Sequence, residues 1–105
     1  MKILLDQGTP VPLRKYFSSH KVDTVYEKGW HTLRNGDLIL KAEEERYDIL
    51  ITTDANLRYQ QNLLGRKIGI LTLLSTSWQR IEKKAADIQS ALQQSRPGQY
   101  TEIEI

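Results

Sequence analysis

Asp48-Ile49-Leu50-Ile51-Thr52-Thr53-Asp54 is the stretch that decides the architecture. Its centre is apolar or β-branched throughout, so it offers no polar face to water, and strands of that kind are buried on both sides, as in parallel sheets. Asp54 follows where the chain must turn, which puts a carboxylate at the strand's carboxyl end. Asp48 stands at the amino end, on the opposite edge of any such sheet, and is read as structural.

Upstream, Lys2-Ile3-Leu4-Leu5 is a second apolar run, ended by Asp6-Gln7-Gly8, so Asp6 also emerges at a strand's carboxyl end. Thr9 and Pro10 form a start signal for a helix of two or three turns carrying Leu13, Tyr16 and Phe17. Lys21 to Tyr26 alternates as a strand does. After Gly29-Trp30-His31-Thr32-Leu33, the segment Asn35-Gly36-Asp37 opens a helix through Leu38, Ile39, Leu40 and Ala42 into Glu43-Glu44-Glu45, with Asp37 in its first turn.

Downstream, Ala55 to Leu64 reads as a short helix closed by Gly65, and Lys67 to Leu74 as a fourth strand. Trp78, Ile81, Ala85, Ile88 and Leu92 recur at steps of three and four, which predicts one amphipathic helix ended by Arg96-Pro97-Gly98. The tail Tyr100-Thr101-Glu102-Ile103-Glu104-Ile105 alternates like an edge strand. Strands alternating with helices require crossover connections, so the expectation is an α/β fold: a three-layer α/β/α sandwich around a mostly parallel sheet of four to five strands.

With 105 residues the chain fits one domain, 1–105, and its 39% hydrophobic and 27% charged residues are those of an ordinary globular protein. No apolar run approaches the roughly 20 residues needed to span a bilayer. Met1 to Leu5 meets Asp6 too soon for a signal peptide, so the expected location is cytoplasmic. The absence of cysteine excludes disulfides and thiolate metal sites. A net charge of +2 is too slight to imply nucleic-acid binding by itself.

In open parallel sheets the ligand crevice lies beyond the carboxyl ends of the strands. Asp6 and Asp54 emerge there, and the helix bearing Asp37 begins there, so three carboxylates are expected to converge. Like charges held close repel, and a cation relieves them; hard oxygen ligands favour Mg²⁺ or Mn²⁺. A metal so held lowers the pKa of bound water and neutralises charge on a phosphodiester, which points to phosphodiester hydrolysis. Each aspartate also has a structural reading: Asp6 as a turn former, Asp37 as a favourable charge at a helix start, Asp54 as a helix cap.

Arg14, Lys15, Arg34, Arg58, Arg66 and Lys67 fall near loops expected to border the crevice, where they either contact phosphates or simply solvate the surface. Trp30 reads as a core plug or a stacking surface for a base. His20 and His31 have no zinc-ligand spacing, no serine sits in a nucleophile elbow, and the glycines form no phosphate-cradling motif.

Ile3-Leu4-Leu5-Asp6, Asn35-Gly36-Asp37-Leu38 and the block Leu50-Ile51-Thr52-Thr53-Asp54-Ala55-Asn56-Leu57-Arg58-Tyr59-Gln60-Gln61-Asn62-Leu63 together resemble the small PIN-like proteins of the DUF5615 type. The resemblance runs over essentially the whole chain, and Gly29-Trp30, Pro97-Gly98 and Tyr100-Thr101-Glu102 also fit it. It implies a PIN-like fold whose acids, at positions matched by Asp6, Asp37 and Asp54, bind Mg²⁺ or Mn²⁺ to cleave single-stranded RNA. It also implies a toxin paired with an antitoxin protein. The chain departs from the pattern at Gln7, where relatives commonly carry an acid, and at Asp37, where glutamate is usual.

The leading expectation is a metal-dependent ribonuclease in which Asp6, Asp37 and Asp54 hold the metal, Asn56 supports Asp54, and Asn56, Arg58, Arg34 and Lys15 contact RNA. A second is a PIN-like module that binds RNA or a partner protein with little or no turnover. A third, a phospho-acceptor receiver domain, suffers because Asp6 lacks an adjacent acid and no lysine follows a fifth internal strand. The alternating tail and the face around Trp78 make a homodimer a further expectation.

Overall fold

Alternation along three central strands divides the interior in two. Ile3 and Leu5 of β1 (Lys2–Leu5), Ile49 and Ile51 of β3 (Ile49–Thr52), and Leu71 and Leu73 of β4 (Gly69–Leu73) face one way. Leu4, Leu50 and Ile70 face the other. Successive side chains of a strand point to opposite faces, so a strand apolar at every position needs cover on both sides. The helices supply it. The computed structural model describes residues 1–57 and 65–105.

On the first face lie a 3-10 helix (Val11–Phe17), α2 (Trp78–Lys83) and α3 (Ala85–Gln94), contributing Leu13, Phe17, Ile81, Ile88 and Leu92. On the second lie α1 (Asn35–Glu44) with Leu38, Ile39 and Ala42, and the buried side chains of Val25, Trp30, Tyr47 and Leu57. Trp30 packs edge-on against Tyr47 with ring centres 6.0 Å apart, so it is a core residue. Two helical layers enclose one sheet, the α/β/α sandwich that the alternation of elements predicts.

The sheet has five strands, all parallel, in the order β2-β1-β3-β4-β5, with β2 (Lys21–Thr24) and β5 (Tyr100–Ile103) at its edges. The chain leaves β1 toward one edge, then returns past it to build the rest. The strand order therefore reverses between β1 and β3, and the carboxyl ends of those two strands border the crevice of the fold. No helix among the described residues is long and apolar enough to cross a membrane.

Several local readings change. Thr9 does not cap the first helix: it is buried and its hydroxyl donates to the Ile51 carbonyl at 3.2 Å, while Pro10 takes the cap position. The segment is a 3-10 helix, opened by Leu13 N–H donating to the Pro10 carbonyl three residues back. The second strand stops at Thr24, and Tyr26 lies in the following turn. The predicted helix over Trp78 to Leu92 is two helices broken at Lys84, yet Ile81, Ala85, Ile88 and Leu92 remain buried along one stripe. Residues 58–64 of the predicted helix over 55–64 lie outside the described residues, Arg58 included.

Candidate active site at the carboxyl edge of the sheet

Leu5 pairs with Ile51, so the next residues, Asp6 and Thr52, stand side by side where β1 and β3 end. Thr52 is fully buried. Its hydroxyl donates to Asp6 Oδ2 at 2.8 Å and accepts the Asp54 amide at 3.1 Å, so one oxygen joins the Asp6 side chain to the Asp54 backbone. Asp6 is also held by its own backbone, whose amide donates to the Ile51 carbonyl at 2.8 Å, and its Oδ1 accepts the Gln7 amide at 2.8 Å. The turn at Gly8, with φ +88°, suits glycine, and a Cβ there would crowd Thr53 Oγ1 at 3.1 Å.

Asp54 is fixed from two sides. Its Oδ1 accepts the Asn56 amide at 3.0 Å, and its Oδ2 accepts the Asn35 side-chain amide at 3.0 Å. Asn56 thus supports Asp54 through its backbone. Asn35 begins α1, so the first residue of that helix ties the second helical layer to the crevice.

The electrostatics follow from this packing. Burial raises the Asp6 carboxyl above its ordinary value of 3.8, the bonds from Thr52 and the Gln7 amide oppose that rise, and the nearby charge of Asp54 adds to it. Among the described residues neither aspartate forms an ion pair. Two acids meet with neutral donors around them and without a described cation between them.

Asp37 belongs to the same helix start as Asn35. It occupies the first turn of α1, exposed, while Asn35 two residues earlier reaches the pair. Among the described residues no group of three His, Cys, Asp or Glu side chains is placed to hold a metal ion. The polar row instead continues along the sheet, for Thr72 pairs with Thr52 and Glu102 with Thr72. Glu102 Oε2 accepts the Tyr100 hydroxyl at 3.1 Å.

The basic residues divide by location. Lys15 pairs with Glu82 at 3.5 Å and lies over the rings of Tyr16 and Trp78. Arg34 caps α1 through its carbonyl, which accepts the Leu38 amide at 2.8 Å, and its side chain is exposed. Arg14 binds Glu27 with its guanidinium and holds that carboxyl below the ordinary carboxylate range. Arg66 and Lys67 precede β4 and meet Glu43, so they belong to the amino edge.

Thr52 and Asn35 are the site residues that sequence reasoning passed over. Both had a signal: Thr52 is the one polar side chain within the β3 run, and Asn35 is the other oxygen-bearing residue of the helix start that carries Asp37. Comparison with protein-family models, with curated proteins and with solved structures finds no match to this chain.

Proposed function

We propose that this chain is a ribonuclease that hydrolyses single-stranded RNA with Mg²⁺ or Mn²⁺, acting at Asp6 and Asp54. The observation that carries the reading is the Asp6–Thr52–Asp54 link at the point where the strand order reverses. There the buried Thr52 hydroxyl binds the Asp6 carboxylate and the Asp54 backbone amide, and burial together with the nearby Asp54 charge makes ionised Asp6 costly. Such a pair gains stability from a cation.

The residues fit a hard divalent ion. Each carboxylate oxygen accepts one described hydrogen bond and keeps capacity for another, and Mg²⁺ is commonly bound by one or two carboxylates with water completing its shell. Asp6 and Asp54 would hold the ion, which when bound supplies an activated water and charge neutralisation for a phosphodiester. Thr52 orients Asp6, Asn35 and the Asn56 amide orient Asp54, and Arg34 is an exposed cation on the helix that carries Asn35. The resemblance to PIN-like proteins supports the same chemistry, and it alone carries the toxin role with an antitoxin partner.

A second reading, an RNA- or protein-binding module without turnover, is supported by Gln7, which stands where proteins of the resembled family commonly carry an acid. One experiment separates them. Purified protein is incubated with labelled single-stranded RNA in Mg²⁺, Mn²⁺ or EDTA, beside Asp6→Asn and Asp54→Asn. Cleavage that needs metal and disappears in both variants supports the nuclease. Equal residual cleavage in all three proteins overturns it, and binding without cleavage in saturating metal assigns the module.

A further inference from the structure

Tyr26 is 72% exposed, the highest value among the exposed large hydrophobic side chains of the described residues. An exposed aromatic on a loose loop would need no explanation, but the turn that carries Tyr26 is tightly bonded. Thr24 and Glu27 cap each other: the Thr24 amide donates to Glu27 Oε1 and the Glu27 amide to Thr24 Oγ1, both at 3.0 Å. The Lys28 amide donates to the Thr24 carbonyl at 3.1 Å, and the Gly29 amide to the Tyr26 carbonyl at 3.0 Å. Val25 and Trp30 anchor the turn in the core, with the Val25 amide bound to the Leu5 carbonyl and the Trp30 amide to the Val25 carbonyl. Arg14 locks Glu27 from outside.

The bonded turn holds an aromatic ring in water, beside Asp6. Tyr26 lines a cavity of about 120 Å³ with Asp6, Gly8, Thr9, Val11 and Thr24. The ring of His31 lies 5.0 Å from that of Tyr26, tilted by 34°, and widens the aromatic surface. A stable protein interface covers about 800 Å² on each partner. A cavity of this size, walled by one exposed aromatic and the edge of Val11, suits a single planar ring instead.

We propose that Tyr26 is a stacking platform for one nucleobase of single-stranded RNA, seating it next to the phosphate presented to Asp6 and Asp54. The inference rests on the ribonuclease reading and names the substrate contact that reading lacks. Aromatic faces bind bases of any sequence because every base has a π-face, and a preorganised ring avoids the entropy of ordering itself on binding. Tyr26 is a binding residue, and His31 supports it.

The test is fluorescence anisotropy with a short fluorescein-labelled single-stranded RNA in EDTA, so that binding is read without cleavage. Tyr26→Ala is expected to weaken binding by about five- to a hundredfold. Tyr26→Trp is expected to keep wild-type affinity, and an abasic strand of equal length to bind wild type and Tyr26→Ala alike. Matching thermal melts show that the variants fold. Equal affinity of wild type and Tyr26→Ala for the RNA, the same loss on the abasic strand, or no RNA binding by wild type each overturns the inference. Self-association lost in Tyr26→Ala with RNA affinity unchanged also overturns it and assigns the surface to a second copy. Cleavage assays decide the other reading separately. Metal-dependent cleavage with unchanged Tyr26→Ala binding sinks only the platform, and Tyr26-dependent binding without cleavage sinks only the nuclease.

Discussion

The two edges of the sheet use acids in opposite ways. At the amino edge every carboxylate described has donors of its own. Asp48 accepts the Lys2 amide at 2.7 Å, and Glu43 accepts the Lys67 and Ile68 amides and the Arg66 guanidinium. These acids join α1 and the loop before β4 to the sheet. At the carboxyl edge Asp6 and Asp54 are as firmly positioned, but their described donors are neutral, and the Asp54 charge adds to the rise that burial causes in the Asp6 carboxyl. Both described sets of acids stand at strand or helix ends, and of the two only the pair at the carboxyl edge brings one carboxylate under the charge of another.

The contrast can be broken most forcefully with metal. Mg²⁺ or Mn²⁺ at about a thousand times its Kd would stabilise the fold by about 4 kcal/mol if the acid pair binds it. Thermal denaturation should show that gain in wild type and none in Asp54→Asn. A gain of equal size in both proteins would place the ion elsewhere.

Next in size is the amino edge. Glu43→Ala leaves two backbone amides and Arg66 without their shared acceptor and is expected to cost about 1.5–3 kcal/mol in urea unfolding. Its metal-induced stabilisation should stay as in wild type. An equal loss of both would show that the edges are coupled.

Asp6→Asn should act in the reverse direction, raising stability at pH 7 by less than the Glu43 change costs. The sign follows from linkage. The folded carboxyl titrates above its unfolded value of 3.8, so the native state binds more protons between those two values, and stability falls as pH rises through that window. Removing the charge restores what was lost. Melts of the two proteins should therefore converge below pH 3.8 and separate above the folded value; a variant less stable at pH 7 contradicts the assignment.

The smallest effect concerns the residue that ends α1. Arg46 has φ +63°, the left-handed conformation usual for glycine, and its amide donates to the Glu43 carbonyl while the Tyr47 amide donates to the Ala42 carbonyl. Arg46→Gly should stabilise the fold by about 0.5–1 kcal/mol, the relief of a Cβ in that conformation less the entropy that glycine adds to the unfolded chain. No change in the urea midpoint would mean that the Arg46 side chain offsets its own strain.

How far the sequence reaches is itself a matter of physics. The apolar runs before Asp6 and Asp54 identify two buried parallel strands, and the rule about strand ends then puts both acids at one edge. That edge could be read because strand geometry leaves a residue little freedom. Asp37 could not be placed in the same way, since ten residues of loop separate Thr24 from Asn35 and their path sets how α1 enters. In the structure Asn35 reaches Asp54, and Asp37, two residues on, is exposed. The break at Lys84 was equally hidden, because a stripe at steps of three and four continues through it with no glycine or proline to mark it.

The order of the strands also has a kinetic side. The first strand lies inside the sheet, and Lys2 meets Asp48 across 46 positions of chain. Closing so long a segment costs entropy before any contact repays it, so docking of the first strand on the third is expected to be a slow step of folding. The same docking creates the carboxylate pair. If the pair binds a cation, as proposed, metal protection during refolding should appear only once this junction has formed.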